Sequence, residues 1–316
     1  YSQFYTSPLN LNPALTGAFE GVFRFGVNQK TQWLSVTKPY LTFTGSFDAP
    51  VIKSNSKRQL LGVGLTINSD RAGDSKYSSF QAIFSLSYIK SIGRKNRHKF
   101  GIGAYGGIIQ RKIDYSTLTF DEQFLGGVFD PGFPITETFD KNNFVFFDCG
   151  AGFFWSYTPN KTNTFSMGAS ARHLNRPNQA VNDIATRLAI HYSAYFTSRF
   201  EIHHNLSLEP MLYTAFQRQA YEILFGSNIE YFIKKNNHME LFSFGGGMFY
   251  RWNDALILMG FFDWQNLRIG LSYDINLSPF LTATKGRGGV EVSVIYMYKK
   301  KRISQLGKEP CPFDVM

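Results

Sequence analysis

The chain has 316 residues, a net charge of +10, 43% apolar residues, 17% aromatic residues and only 18% charged residues. The charged share lies below the usual quarter of a soluble domain, and no stretch of about eighteen consecutive apolar residues occurs, which excludes helical membrane spans. The 32 Phe, 17 Tyr and 28 Gly suit short alternating strands instead, in which lumen-facing polar residues hide the apolar half from a hydropathy scan.

The chain opens at Tyr1 without Met or an apolar leader, so a mature exported form with its signal peptide removed is expected. Residues 1–20 carry Pro8, Pro13 and Gly17 beside Asn10 and Asn12, which argues against a regular strand there. That segment either plugs a barrel or lies under it as a periplasmic contact. About fourteen alternating segments follow. They run roughly over 21–30, 40–50, 60–69, 78–91, 99–111, 143–157, 164–173, 185–198, 205–216, 220–234, 239–251, 255–263, 266–277 and 288–299. In 266–277, Leu267, Ile269, Leu271, Tyr273, Ile275 and Leu277 share one face, and Arg268, Gly270, Ser272, Asp274 and Asn276 the other. The expected fold is all-β: a transmembrane antiparallel β-barrel over 21–299, followed by a basic periplasmic tail at 300–316.

The connections sort by length. Those at 51–59, 92–98, 158–163, 199–204, 235–238 and 264–265 are short; those at 31–39, 70–77, 112–142, 174–184 and 278–287 are longer. Short periplasmic turns and long extracellular loops are the asymmetry of an outer-membrane barrel. The basic clusters, such as Arg94/Lys95/Arg97 and Lys299/Lys300/Lys301/Arg302, fall in connections or after the last strand. They read as solvated rims beside lipid head groups, not as a nucleic-acid face. Outer-membrane lipids are expected against sets such as Leu41/Phe43/Phe47, Phe80/Phe84/Leu86/Tyr88, Leu188/Ile190/Tyr192/Phe196 and Val290/Val292/Val294. Tyr88, Tyr157, Tyr231 and Tyr298, near strand ends, would form an aromatic girdle. The glycines of 99–111 and 239–251 would admit a close-packed segment inside the barrel.

The inward set includes Arg24, Asp48, Asp148, Arg172, Arg187, His191, Glu209, Glu222, Glu230, Arg251, Arg268, Asp274 and Glu291. An open ion channel favours one dominant sign around its lumen. Mixed signs suit an interior crossed by ion pairs, hence a filled or constricted barrel.

Several apparent chemical motifs fail on context. Gly101, Gly103 and Gly106 spell a dinucleotide-binding signature, but within a strand rather than at a strand-to-helix turn. Ser170 and His173 lie three apart on an extended segment and should point to opposite faces. His203 and His204 share a short turn in which their side chains should diverge, with no ligand set around them. Cys149 shares a lipid-facing side with Val145, Phe147, Ala151 and Phe153, while Cys311 lies in the tail, so a free buried thiol at Cys149 is expected. No catalytic residue, cofactor or metal site is expected, and the chain reads as a non-enzyme.

Ordered motifs carry a family resemblance. Gln3-Phe4-Tyr5 and Leu11-Asn12-Pro13-Ala14-Leu15-Thr16-Gly17 are followed by Gln32-Trp33, Pro39-Tyr40, Ser46, Asp48 and Asp70-Arg71-Ala72-Gly73. Then come Gly168-Ala169-Ser170, His173-Leu174, Pro177, Tyr250-Arg251, Ser272-Tyr273-Asp274-Ile275, Ser278, Gly288, Glu291 and Cys311-Pro312. The chain resembles the PorP/SprF family of outer-membrane proteins in the Bacteroidota type IX secretion and gliding systems. Departures from the family pattern occur at Gly288-Gly289-Val290-Glu291 and at Cys311-Pro312-Phe313. The resemblance implies a non-enzymatic role in export or surface retention of adhesins and other cargo with a type B C-terminal domain, or a link to periplasmic or lipoprotein components of the system. Trp33, Tyr40, Phe120, Phe124, Phe129 and Phe133 are the candidate partner contacts, aromatic side chains of the type that anchors interfaces; packing of the loops on themselves is the other reading. The coincidence of Arg24, Asp48, Arg251, Arg268, Asp274 and Glu291 with the inward face points to an interior polar network. A passive channel for small solutes remains the second function class: a continuous open path would favour it, an occluded lumen would not.

Overall fold

In the computed structural model, residues 1–32, 39–54, 58–73, 77–93, 96–115, 118–119, 121–125, 127–130, 132–133, 142–160, 162–179, 186–236, 239–278 and 284–299 are described. The strands are β1 (Phe23–Gln32), β2 (Tyr40–Ser54), β3 (Gln59–Ala72), β4 (Tyr77–Ile92), β5 (His98–Lys112), β6 (Phe124–Leu125), β7 (Val128–Phe129) and β8 (Asn143–Tyr157). They continue with β9 (Thr164–Arg172), β10 (His191–His203), β11 (Leu206–Gln217), β12 (Ala220–Asn236), β13 (Met239–Arg251), β14 (Ala255–Trp264), β15 (Leu267–Asn276) and β16 (Arg287–Tyr298). All but β6 and β7 form one closed antiparallel barrel, sealed where β1 pairs with β16 from Phe23↔Tyr298 to Gln32↔Gly289. Closure pairs the strand backbones around the membrane-spanning girth of the barrel, as a hydrocarbon environment demands.

Alternation decides which face meets what. In β4, Phe80, Phe84, Leu86 and Tyr88 are exposed while Ser79, Ile83, Ser85, Ser87 and Ile89 are buried. The same split recurs in β15, where Ile269, Leu271 and Tyr273 point out and Ser272 and Asp274 point in. Exposed apolar side chains all round a closed sheet form a lipid-facing belt. Leu271, 56% exposed, is a direct test. Leu271→Arg should cost about 2–4 kcal/mol if it sits near the bilayer midplane, read as a lowered midpoint in urea unfolding from liposomes.

The aromatic girdle lies at the end of the barrel where the short turns are. Phe23 stacks on Tyr298 at 5.3 Å between ring centroids, His98 on Tyr157 at 4.6 Å, and Tyr231 lies 5.7 Å from Phe244. The strands themselves fall where alternation placed them, with one clear shift. The eighth barrel strand begins at His191, not 185, so Leu188 and Ile190 are not wall residues. Leu188 instead donates its backbone N–H to the Pro177 carbonyl at 3.0 Å in a turn-like excursion. The long 112–142 connection also holds the small β6–β7 hairpin, too short to show as alternation. Cys149 is free and half-buried on the outer face, rather than buried in protein. Cys311, the tail 300–316, Trp33 and Phe120 lie outside the described residues.

Residues 1–19 enter the lumen. They form a 3-10 turn (Phe4–Thr6), one α-turn (Pro8–Leu11) and a second 3-10 turn (Pro13–Leu15). Pro8 and Pro13 open their turns, where a missing N–H is harmless. Asn12 caps the second by accepting from the Ala14 N–H at 2.9 Å. The core of the molecule is the interface between this plug and the inner wall: Phe4, Leu11, Ala14 and Leu15 pack with Leu60, Ile89, Phe154, Tyr195, Leu224, Phe249 and Ile257.

Candidate functional site

The plug reaches wall strands around the lumen. Ser2 and Gln3 bond to β15 and β16; Phe4 stacks on Tyr213 of β11 at 5.2 Å. The Tyr5 hydroxyl donates to Met259 Sδ of β14 at 3.1 Å and accepts from Asn228 Nδ2 of β12 at 3.3 Å. Asn12 Nδ2 donates to the Phe153 and Ala169 carbonyls of β8 and β9 at 2.8 and 3.3 Å. Thr16 Oγ1 bonds to Ser85 of β4 at 2.9 Å.

Wall glycines make room for this segment. A Cβ on Gly103 would stand 2.5 Å from the Pro13 carbonyl oxygen and 2.6 Å from Ala14 Cα; one on Gly152 would overlap the Asn12 side chain. The dinucleotide-like glycine run is therefore part of a strand, with Gly103 under the plug and Gly101 and Gly106 beside the wall side chains Phe154 and Phe147. Gly245 and Gly247 serve neighbouring wall side chains instead, Phe261 and Asn228.

Among the described residues, the inward ionic side chains fall into separate groups rather than one network. At the upper face of the plug, Asp274 binds Lys30 Nζ at 3.0 Å and Arg251 NH2 at 3.2 Å. Ser2 Oγ donates to Asp274 Oδ1 at 2.7 Å and accepts from Lys30 Nζ and Arg251 NH2 at 2.7 and 2.8 Å. A serine hydroxyl has one proton and two lone pairs, so all its capacity is used. Glu291 accepts the Ser2 and Gln3 backbone N–H groups at 2.7 and 3.2 Å, and Arg251 also contacts Asp254 at 2.9 Å.

At the plug's exit Arg24 and Asp48 face each other across β1 and β2 and pair bidentately at 2.9 and 2.8 Å. Asp48 also accepts the Gly17 N–H at 2.7 Å, and Arg24 lies 4.7 Å over the Phe19 ring. The chain turns there through Gly17 at φ +70°, a conformation that favours glycine. Arg268 belongs to neither group. It pairs bidentately with Asp263 at 2.7 Å and lies 3.7 Å from Glu230, which Arg199 approaches at 3.4 Å.

Sequence reasoning missed Lys30, Ser2, Gln3, Asp263 and Arg199 in these groups. Lys30 was readable, because it continues the Arg24, Gly26, Asn28 alternation of β1. Ser2 and Gln3 carry no periodicity and reach their partners only because the plug folds inward.

The candidate partner contacts divide. Phe124 and Phe129 pair across the β6–β7 hairpin with rings 5.5 Å apart, 58% and 39% exposed, and Phe133 beside them is 37% exposed. Tyr40 opens β2 opposite Gln32 on the same side as buried Thr44 and Ser46, so it looks into the lumen mouth rather than out from a loop. His173 follows β9 with φ +60°, which turns its ring inward to Asp148 Oδ1 at 2.9 Å instead of to the opposite face. It makes no dyad: Ser170 Oγ bonds to the Leu11 carbonyl at 3.0 Å and to Ser193 at 2.8 Å. The His203 and His204 rings do not diverge but lie 3.8 Å apart. Arg187 sits outside any strand, in an isolated bridge with Asn178.

Solved barrels share this architecture. The toluene transporter TbuX of Ralstonia pickettii aligns over 93% of both chains with 12% identity and a TM-score of 0.57. CymD, a monoaromatic hydrocarbon channel, aligns over 93% of both with 10% identity and a TM-score of 0.52. The toluene transporter TodX of Pseudomonas putida aligns over 92% of both with 11% identity and a TM-score of 0.50. At such identities the likeness concerns the fold alone. None of the curated proteins matches the sequence. The family profile described as type IX secretion system membrane protein PorP/SprF matches residues 1–296, which takes in the plug and nearly all of the barrel. With a lipid-facing belt, a closed fourteen-strand wall and that match, this outer-membrane β-barrel belongs to the PorP/SprF family of the type IX secretion system.

Proposed function

We propose that the chain is a non-enzymatic docking barrel that holds a secreted protein, an adhesin or other cargo with a type B C-terminal domain, at the cell surface for the secretion or gliding machinery. The observation that carries this reading is the plug: wall strands bond to residues 1–19 around the lumen, which favours a scaffold over a conduit. The docking face is the loop end, where Phe124, Phe129 and Phe133 stand exposed on a hairpin. Exposed aromatic side chains on a small rigid unit are the usual anchors of an interface. Periplasmic or lipoprotein components of the system would meet the opposite, turn-bearing end.

The test is retention of secreted protein by cells carrying Phe124→Ser/Phe129→Ser. Loss of two anchors should weaken retention by about tenfold or more, with barrel folding unchanged by its gel mobility before and after heating. Unchanged retention would remove the hairpin from the interface. Transport of small solutes is the competing reading, and steady high conductance of the reconstituted wild-type chain would establish it instead.

A further inference from the structure

Among the described residues, the barrel wall is not continuous at its loop end. β8 pairs with β5 along its whole length, from Asn143↔Lys112 to Tyr157↔His98, but with β9 only over Ala151–Tyr157. Above Arg172 the chain leaves the wall. His173 and Arg176 take φ of +60° and +44°, and Pro177 follows without an N–H to donate. Residues 177–179 then pair with 186–188, through Leu188 N–H to the Pro177 carbonyl and Gln179 N–H to the Thr186 carbonyl, at 3.0 and 2.9 Å. This small hairpin leans to the lumen, where Arg111 of β5 holds Gln179.

The upper edge of β8 is left behind. The Cys149 carbonyl still accepts from Leu174 N–H at 3.0 Å, and the Phe147 carbonyl from Asn175 Nδ2 at 2.6 Å. In an antiparallel strand the N–H of a residue points to the same side as its carbonyl, and every second residue shares that side. The Phe147 N–H and both backbone groups of Val145 therefore face the opening, and among the described residues nothing pairs with them. Val145 and Phe147 are 63% and 58% exposed on the outer face. The neighbouring outward positions Gln110, Lys112 and Asn143 are polar, so the opening sits at the upper rim of the apolar belt, within reach of water. Arg176 and Arg187, in the chain that leaves the wall, are exposed cations. The carboxylate beneath, Asp148, is already engaged by His173 and Tyr105.

We propose that the β8 edge at Asn143–Phe147 is a strand-addition site for an extended peptide of a partner protein, with apolar residues on one side and acidic residues on the other. Backbone bonds to Val145 and Phe147 supply affinity, the apolar residues lie beside Val145 and Phe147 on the outer face, and the acidic ones, on the other face, meet Arg176 and Arg187. The proposal rests on the docking reading and specifies the chemistry of the docked segment.

The probe is an alternating Glu/Val peptide of about seven residues, added to the full chain in detergent, with amide hydrogen exchange followed residue by residue. The free protein should exchange the Val145 and Phe147 amides rapidly, and the peptide should slow both by about tenfold or more. Methylating the peptide nitrogens on its pairing side leaves charge and side chains unchanged and should abolish the protection. Val145→Pro, a substitution that edge strands tolerate, should do the same in a barrel that remains heat-modifiable on gels. Amides already protected in the free protein would mean that the chain's own residues fill the opening, and would overturn the proposal. Equal protection by the methylated peptide would overturn it too. If Val145→Pro fails to fold, the methylated peptide still decides. Peptide protection without hairpin-dependent cargo retention would overturn the docking reading; retention without peptide protection would overturn this inference alone.

Discussion

Asp274→Ala should be the most destabilising single change in the lumen, with a loss of about 3–5 kcal/mol. The carboxylate is the shared counter-charge of Lys30 and Arg251, at 3.0 and 3.2 Å, in a site where Asp274 and Lys30 are almost fully buried. Removing it leaves two cations facing each other without their common partner, Lys30 left with Glu291 at 3.9 Å and Arg251 with Glu222 and Asp254 at 3.1 and 2.9 Å. Ser2 loses its acceptor in the same step, although its hydroxyl still accepts from both cations. Urea unfolding from liposomes should show the shift. Asp274→Ala combined with Lys30→Met should recover part of the loss, since the second change withdraws one of the two facing cations. Ser2→Ala alone should cost far less, about 1–2 kcal/mol, because the ion pairs remain. Equal effects of Asp274→Ala and an outward substitution such as Leu271→Ala would show that the group is not a structural keystone.

Gly103→Val should have the largest effect on permeability. Its Cβ would stand 2.5 Å from the Pro13 carbonyl oxygen, against backbone that cannot yield as a flexible side chain would. The strand itself accepts valine, because Gly103 lies within β5 opposite Gly152 in an ordinary ladder. The plug must therefore give way rather than the wall. Wild-type barrels should show small conductance in planar bilayers, whereas Gly103→Val should show steady openings and new protease cleavage within residues 1–19. Removing residues 1–19 altogether should reproduce the conductance. A folded Gly103→Val barrel that stays silent would mean that the plug tolerates displacement without opening a path.

Much of the wall was legible without coordinates. A strand that crosses lipid must alternate, since each successive side chain meets the opposite medium, and fourteen such segments stand out from Phe23 to Tyr298. The same alternation marked Arg24, Asp48, Arg251, Asp274 and Glu291 as inward. It failed where periodicity is broken. The β9–β10 excursion has left-handed residues at His173 and Arg176, and these non-glycine positions gave no local cue. Leu188 was accordingly assigned to a wall it does not join.

The sequence alone thus determined the strand count, the lipid-facing belt, the polar interior and the family, because these follow from spacing along one segment at a time. Only the tertiary structure decided between plug and periplasmic contact for residues 1–20. It also divided one list of inward charges into separate groups, moved Arg268 away from Asp274, and parted the described wall above β9. The physical reason is common to all of these. Partners such as Ser2 and Asp274 are separated by nearly the whole chain, and their meeting depends on barrel closure and on the path of an irregular segment whose bonds are satisfied only by the wall around it.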